Sequence, residues 1–335
     1  MSADPPIFAA RRASTEAKLK AFHDEFTRNL GTDATRLADD TCLYVTGSGG
    51  RAELSDHSDL DLFLIRASAR PPRLDQMVIG AAVVRALAAC GFPAPSKDGE
   101  FLALHRVDKM LQHMGTPDDD ALNLFTARML LLLESRCVEG QPVYERAIER
   151  VLDQYWRNLD KHPGDYLPII LLNDISRYWR IVLLNYEARQ NPQHEGQTDP
   201  TDEDKAKRRL RSHKLRFSRC LLCYSAIGFL LFKARAGDVQ CAAAREMVSM
   251  TPTERLLHMK GVVPAGTAAV IDDLLQQYAA FLERMNAGED SLVLKFQDDV
   301  FRRMSAEKGE AFGTRVFELM ALLGDGNPLY RYLIV

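Results

Sequence analysis

The sequence predicts an α+β fold, a small mixed-sheet domain followed by an all-helical domain. Three observations lead there. Strand-like runs at residues 42–46, 60–65 and 101–105 are confined to the first third of the 335 residues and alternate with helical stretches. After about residue 107, apolar residues recur at helical spacing and no further strand is clear. So few strands exclude a doubly wound parallel sheet.

Taken in order, residues 1–15 read as a flexible arm with Pro5 and Pro6. From about Ser14, Leu19, Phe22, Phe26 and Leu30 recur three to four apart and predict a helix that stops at Gly31. A first strand, Cys42-Leu43-Tyr44-Val45-Thr46, runs into Gly47-Ser48-Gly49-Gly50, and a second strand contains Asp61. Pro71 and Pro72 end that unit, a helix over 74–90 closes at Gly91, and a third strand follows. The expected domains are 16–120 and the helical 121–335. Within the latter, residues 166–186 are apolar on nearly every face, which predicts a central buried helix. Its Asn173, Arg177 and Arg180 share one stripe, read first as a structural network. Residues 191–204 read as an exposed loop.

The 43 basic and 46 acidic residues leave a net charge of −3, without the basic excess of a protein that coats nucleic acid. At 46% hydrophobic and 27% charged residues, the composition excludes wholesale disorder. The apolar run 220–232 is shorter than the ~20 residues of a bilayer span, so no membrane is expected. The N-terminus lacks the apolar core of a secretory signal, and six cysteines do not make a disulfide framework. Together these point to the cytoplasm. The oligomeric state is not legible.

The chemistry is concentrated in residues 47–62, GSGGRAELSDHSDLDL. The Gly47-Ser48 turn lets backbone N–H groups approach phosphate oxygens unobstructed. Asp59 and Asp61 lie two apart on an extended segment, so both carboxylates face one side. Such a pair repels unless cations intervene, which suits two Mg²⁺ ions ~3.5–4 Å apart. A surface turn leading into an edge strand is the plainer alternative, but aspartates sharing a strand face destabilise it.

These residues resemble the DNA-polymerase-beta-like nucleotidyltransferases, whose pattern is an apolar residue, Gly, Gly or Ser, about ten residues, then Asp, apolar, Asp or Glu, apolar. Thr46 stands in the first place; Gly47-Ser48 and Asp59-Leu60-Asp61-Leu62 fill the rest. The spacing of Arg51 and Glu53 is similar to the branch that contains the bacterial PII-protein uridylyltransferases, although Ala52 stands where that branch usually has Gly. Ser58 before the first Asp is also typical of it. Residues 123–135 and 172–186 resemble uncharacterised bacterial members of the superfamily. The resemblance implies a third carboxylate on a strand after the intervening helix. Glu100 is in the right order, with Asp98 as rival and Asp108 past the strand.

Residues 205–219 carry eight basic residues and no acid. Leu210, Lys214, Phe217, Leu221 and Tyr224 share one stripe at α-helical spacing, which places Lys214 on the core-facing side. Related nucleotidyltransferases bring a basic residue from the helical domain to the terminal phosphates, and Lys214 is the candidate here. Cys220 and Cys223 have zinc-like spacing but read as core.

The expectation is therefore a Mg²⁺-dependent nucleotidyltransferase that moves an NMP from a nucleoside triphosphate, ATP by default, to a protein, RNA or small-molecule acceptor. Asp59, Asp61 and Glu100 would hold two ions, and Gly47, Ser48, Arg51, Ser58 and Lys214 the nucleotide, with Arg51 pairing either with phosphate or with Glu53. Two alternatives stand beside it. One is a nucleotide-binding regulatory protein with a degenerate site. The other is a ribonuclease or toxin-system component that uses Arg208 and His213, or Arg189 and His194, in the helical half.

Overall fold

The computed structural model describes residues 4–37, 40–67, 73–95, 102, 104–162, 165–188 and 201–333. Two compact units emerge: Ala9–Gly164, and Asp165–Val335 together with Met1–Phe8. The expected division followed residue 120, and the segment 121–164 lies with the N-terminal unit.

In the N-terminal unit a four-stranded mixed sheet has the order β3-β2-β1-β4. β1 (Thr41–Thr46) pairs antiparallel with β2 (Asp61–Arg66) and with β4 (Arg136–Glu139), and β3 (Leu104–Arg106) runs parallel to β2. The α+β architecture is as the sequence predicts. β4 was not foreseen: Arg136-Cys137-Val138-Glu139 is short, only partly buried, and carries no β-branched run.

Alternation sorts the strands into two faces. Leu43, Val45, Leu62 and Leu64 point to one face and pack on α1 (Pro6–Leu30) and α3 (Arg73–Ala89) through Phe22, Phe26, Ile79, Val83 and Leu87. Tyr44 and Phe63 take the other face and stack at 5.5 Å. Tyr144 tilts against Tyr44 there. It belongs to α7 (Gln141–Trp156), which covers this face with α4 (Val107–Gln112), α5 (Pro117–Ala121) and α6 (Leu124–Leu133). The first helix starts at Pro6, not near Ser14, so residues 6–15 are no arm. The buried stripe of α1 continues backwards through Thr15 and Arg11, polar positions that apolar periodicity does not register.

One buried ion pair joins the covering helices. Arg128 donates to both oxygens of Asp119, each at 2.8 Å, and through Nε to the Tyr155 hydroxyl at 3.0 Å. Arg128 and Asp119 are fully buried. Asp119→Ala would strand a buried guanidinium and should cost ~3–5 kcal/mol in urea denaturation, whereas the paired change Asp119→Leu/Arg128→Met should cost less than that single change.

The second unit is helical. α10 (Cys220–Arg235) is its central helix, buried on nearly all faces. Around it stand α8 (Ile169–Ala188), α9 (Asp202–Lys214), α11 (Cys241–Ser249), α12 (Pro252–Lys260), α13 (Ala265–Met285), α14 (Glu289–Gln297) and α15 (Asp299–Gly324). Among the described residues, one continuous helix, Asp202–Arg235, is long and apolar enough to cross a membrane, and its most apolar window is 78% buried. The expectation of a central helix at 166–186 is corrected here. α8 buries Leu171, Leu172, Ile175 and Tyr178 on one side, while Asn173, Arg180 and Leu184 are exposed.

Between α9 and α10 the backbone makes a π-helical turn, Leu215–Arg219. A π turn inserts an extra residue and rotates the downstream helix relative to the upstream one. His213 therefore faces inward, and Lys214 does not share the stripe of Phe217 and Leu221. His213 is 3% exposed, ringed by Phe217, Phe281 and Phe296 at 4.9–5.6 Å. Its Nε2 accepts a hydrogen bond from Arg284 Nη1 at 3.2 Å. Burial first, then the charges of Arg284, Arg216 and Lys308, push its pKa down to about 4 from 6.5. Between those values the unfolded chain binds a proton that the folded chain refuses, so this contribution is complete above pH 6.5 and lost as pH falls toward 4. His213→Gln keeps an acceptor for Arg284 and cannot titrate. It should flatten the acid side of the stability curve, worth up to about 3 kcal/mol, in denaturation at pH 7 and pH 4.5.

Candidate functional site

The site forms where β1 ends and β2 begins. Thr46 stands opposite Asp61 in the antiparallel register, and its hydroxyl donates to the Asp61 carbonyl at 3.4 Å. Asp61 is half-buried on the face that carries Phe63; Asp59, two residues earlier, is exposed. Gly47 closes the turn with φ +63°. A Cβ there would lie 2.7 Å from Asp61 Oδ2, so the glycine backbone and the carboxylate sit in direct apposition. Gly47–Gly50 makes a single helical turn, α2. At Gly50 a Cβ would collide with the Glu134 carbonyl oxygen at 1.8 Å. The Arg51 and Glu53 N–H groups donate back to the carbonyls of Gly47 and Ser48 at 3.1 and 2.8 Å. These bonds tie the backbone of Gly47 and of the half-buried Ser48 into the turn.

Arg51 is buried and bound between two carboxylates. Its Nε donates to Glu53 at 2.7 Å, and its Nη1 pairs with Glu134 at the end of α6. Of the two roles the sequence left open, pairing with phosphate or with Glu53, the structure shows the second. Arg51 is a post that ties the turn to α6.

The rest of the loop hangs on α1. Arg11 donates to the Glu53 carbonyl at 3.3 Å, Thr15 Oγ1 accepts from the Leu54 N–H at 3.0 Å, and Lys18 donates to the Ser55 carbonyl at 2.6 Å and to Asp56 at 2.8 Å. Lys18 holds the Asp56 carboxyl below its ordinary range. Ser58 Oγ accepts from the Ser55 N–H at 2.9 Å and contacts Ser55 Oγ at 3.1 Å. Ser58 thus fixes the bend before Asp59. Arg11, Thr15, Lys18 and Glu134 were missed in the sequence because they lie far from the motif in the chain. For Arg11 and Thr15 the one signal was the polar interruption of α1's stripe; Lys18 and Glu134 gave none.

Asp59 and Asp61 offer hard oxygen donors at one strand end, which fit a hard divalent cation such as Mg²⁺. Among the described residues, no group of three or more His, Cys, Asp or Glu side chains is placed to hold a metal. Glu100 and its rival Asp98 lie outside the described residues. Asp108 is engaged at the start of α4, accepting from Arg106 Nε at 3.0 Å.

The helical candidates fare differently. Lys214 is 46% exposed and pairs with Glu289 at 3.1 Å, so it lies off the inward stripe that nominated it. His213, the imidazole of one ribonuclease pair, is enclosed in its aromatic ring rather than open to a cleft. Arg189 and His194 lie outside the described residues. Cys220 and Cys223 are buried core residues.

Comparison with known proteins agrees with this geometry. Residues 9–103 match the family model described as "Putative nucleotidyltransferase DUF294". No curated protein matches the chain. The matched region, under a third of the chain, is thus similar to a nucleotidyltransferase domain, and it spans α1, the first two strands, the loop between them and α3.

Ala52 is the position where the resembling branch usually has Gly, and its φ is +59°. A left-handed L-residue costs ~1–2 kcal/mol, while its buried methyl is worth ~0.8 kcal/mol. Ala52→Gly should therefore change stability by less than ~1 kcal/mol, and Ala52→Val, a β-branched side chain in the same conformation, should lose more than ~2 kcal/mol. Chemical denaturation of both variants checks this; equal stabilities would contradict the strained conformation.

Proposed function

We propose that this protein is a Mg²⁺-dependent nucleotidyltransferase of the branch near the bacterial PII-uridylyltransferase-type domains. It would transfer an NMP from an NTP, with ATP the first to try, to a protein, RNA or small-molecule acceptor in the cytoplasm. The carrying observation is the Thr46–Asp61 register, which sets the Gly47-Ser48 turn against the Asp61 carboxylate.

Asp59 and Asp61 hold the divalent ions in this reading. When bound, such ions lower the pKa of an acceptor hydroxyl and neutralise the β- and γ-phosphates. Gly47 offers backbone without a side chain to the triphosphate, and Ser48 follows it in the same turn. Ser58 and the α1 contacts hold Asp59 in reach. The third carboxylate in this reading is Glu100, which precedes in sequence the strand β3 that runs parallel to β2. The acceptor oxygen bonds to the α-phosphorus as the bond to the β-phosphate oxygen breaks. Pyrophosphate leaves, and the acceptor proton passes to solvent. Arg51 supports the turn, and Lys214 has no part in this reading.

The test is incubation with each labelled NTP, Mg²⁺ and cell lysate, which reports nucleotide and acceptor class together. Asp59→Asn and Asp61→Asn should each lower transfer by at least ~10²-fold, the scale of removing stabilisation of transition-state charge. Each should also abolish the rise in Tm that Mg²⁺ gives the wild type. Gly47→Ala should fold, push the Asp61 carboxylate aside and lose activity by about 10²-fold. Nucleotide binding with no transfer from any NTP would favour a regulatory protein with a degenerate site.

A further inference from the structure

The surface lysines of α9 are matched by acids. Lys205 pairs with Asp202, Lys207 with Glu203 and Lys214 with Glu289. Three cations beside His213 are not: among the described residues, Arg216, Arg284 and Lys308 make no ion pair. They come from three elements of the helical unit, the π turn, α13 and α15. Arg284 stacks over Phe301 at 5.9 Å and spends a hydrogen bond on a neutral imidazole. Arg216 lies across Gly309, where a Cβ would come within 2.9 Å of its Cδ, and Lys308 is the neighbouring residue. Ser305, one turn earlier on α15, is 2% exposed, and its Oγ has no hydrogen-bond partner. Its backbone meets the His213 ring. Gathered like charges without counter-charge destabilise a fold, and arginine forks match phosphate oxygens in geometry as well as in sign.

We propose that Arg216, Arg284 and Lys308 form a binding site for a small phosphate-bearing anion, floored by His213 and Ser305. Arg284 touches the imidazole, and the charges of Arg216 and Lys308 act on that same ring, which fits a compact oligophosphate and not a polymer. The occupant is either inorganic pyrophosphate or the phosphate chain of a nucleotide. This site is built entirely in the helical unit and does not depend on the nucleotidyl-transfer reading.

The experiment is calorimetric titration of the full chain with pyrophosphate and, separately, with ATP. Excess EDTA keeps carboxylate-held metal out of the binding. The His213 ring resonance is followed by NMR. Pyrophosphate should bind and move the His213 signal. Arg216→Gln/Lys308→Gln, which alters two exposed side chains, should weaken that binding at least ~tenfold. Lys205→Gln, a paired lysine, should leave it within about twofold. Parallel weakening of ATP binding would show that a nucleotide's phosphates use the same site; weakening for pyrophosphate alone would identify the free anion as the ligand. Undiminished pyrophosphate binding in the double variant, an unmoved His213 signal, or inert pyrophosphate together with ATP binding that the double variant leaves undiminished would each overturn the proposal.

Discussion

The antiparallel pairing of β1 with β2 is the constraint on which the candidate site rests. It fixes Thr46 opposite Asp61 and leaves the 47–60 loop to bridge two adjacent strand ends. A one-residue slip would turn Asp61 to the face of Leu62 and Leu64, into the core beneath α1 and α3. The alternation of Leu62 and Leu64 opposite Val45 and Leu43 forbids that slip, because Leu62 and Leu64 would then leave the hydrophobic cluster. Burial of the sheet's inner face and placement of the carboxylate are thus one energetic event.

The loop is rigid for reasons outside itself. Gly50 seats on the backbone of Glu134, Arg51 pairs with the Glu134 side chain, and three polar residues of α1 hold residues 53–56. A buried arginine between two carboxylates gains little net stability over apolar packing, but removing one partner leaves an uncompensated charge. Such a cluster therefore specifies geometry more than it adds free energy. The helices that bear Glu134 and the Arg128–Asp119 pair thereby support the turn.

In the helical unit a single irregularity redirects the chemistry. The π turn at Leu215–Arg219 brings His213 into an aromatic enclosure and turns Lys214 to solvent, where Glu289 meets it. The helix continues into α10, so the cost of the turn is offset by burial on both sides of it.

Local patterning alone specifies the α+β class, the two strands flanking the motif, the helical remainder, and the pairing of a glycine turn with Asp59 and Asp61. Alternation, glycine, and two carboxylates at a spacing of two carry all of it. Other features arise only when distant segments meet. Arg11 and Thr15 look like helix surface until a distant loop needs them, and Arg51 could face a phosphate until Glu134 arrives from 83 positions away. β4 has no strand signature and exists because β1 offers it an edge. Lys214 lay on the predicted inner stripe because α-helical phase was carried through a turn that is not α-helical. Periodicity records which side of a regular element is buried; it holds no information about a change of phase, or about partners contributed by another segment.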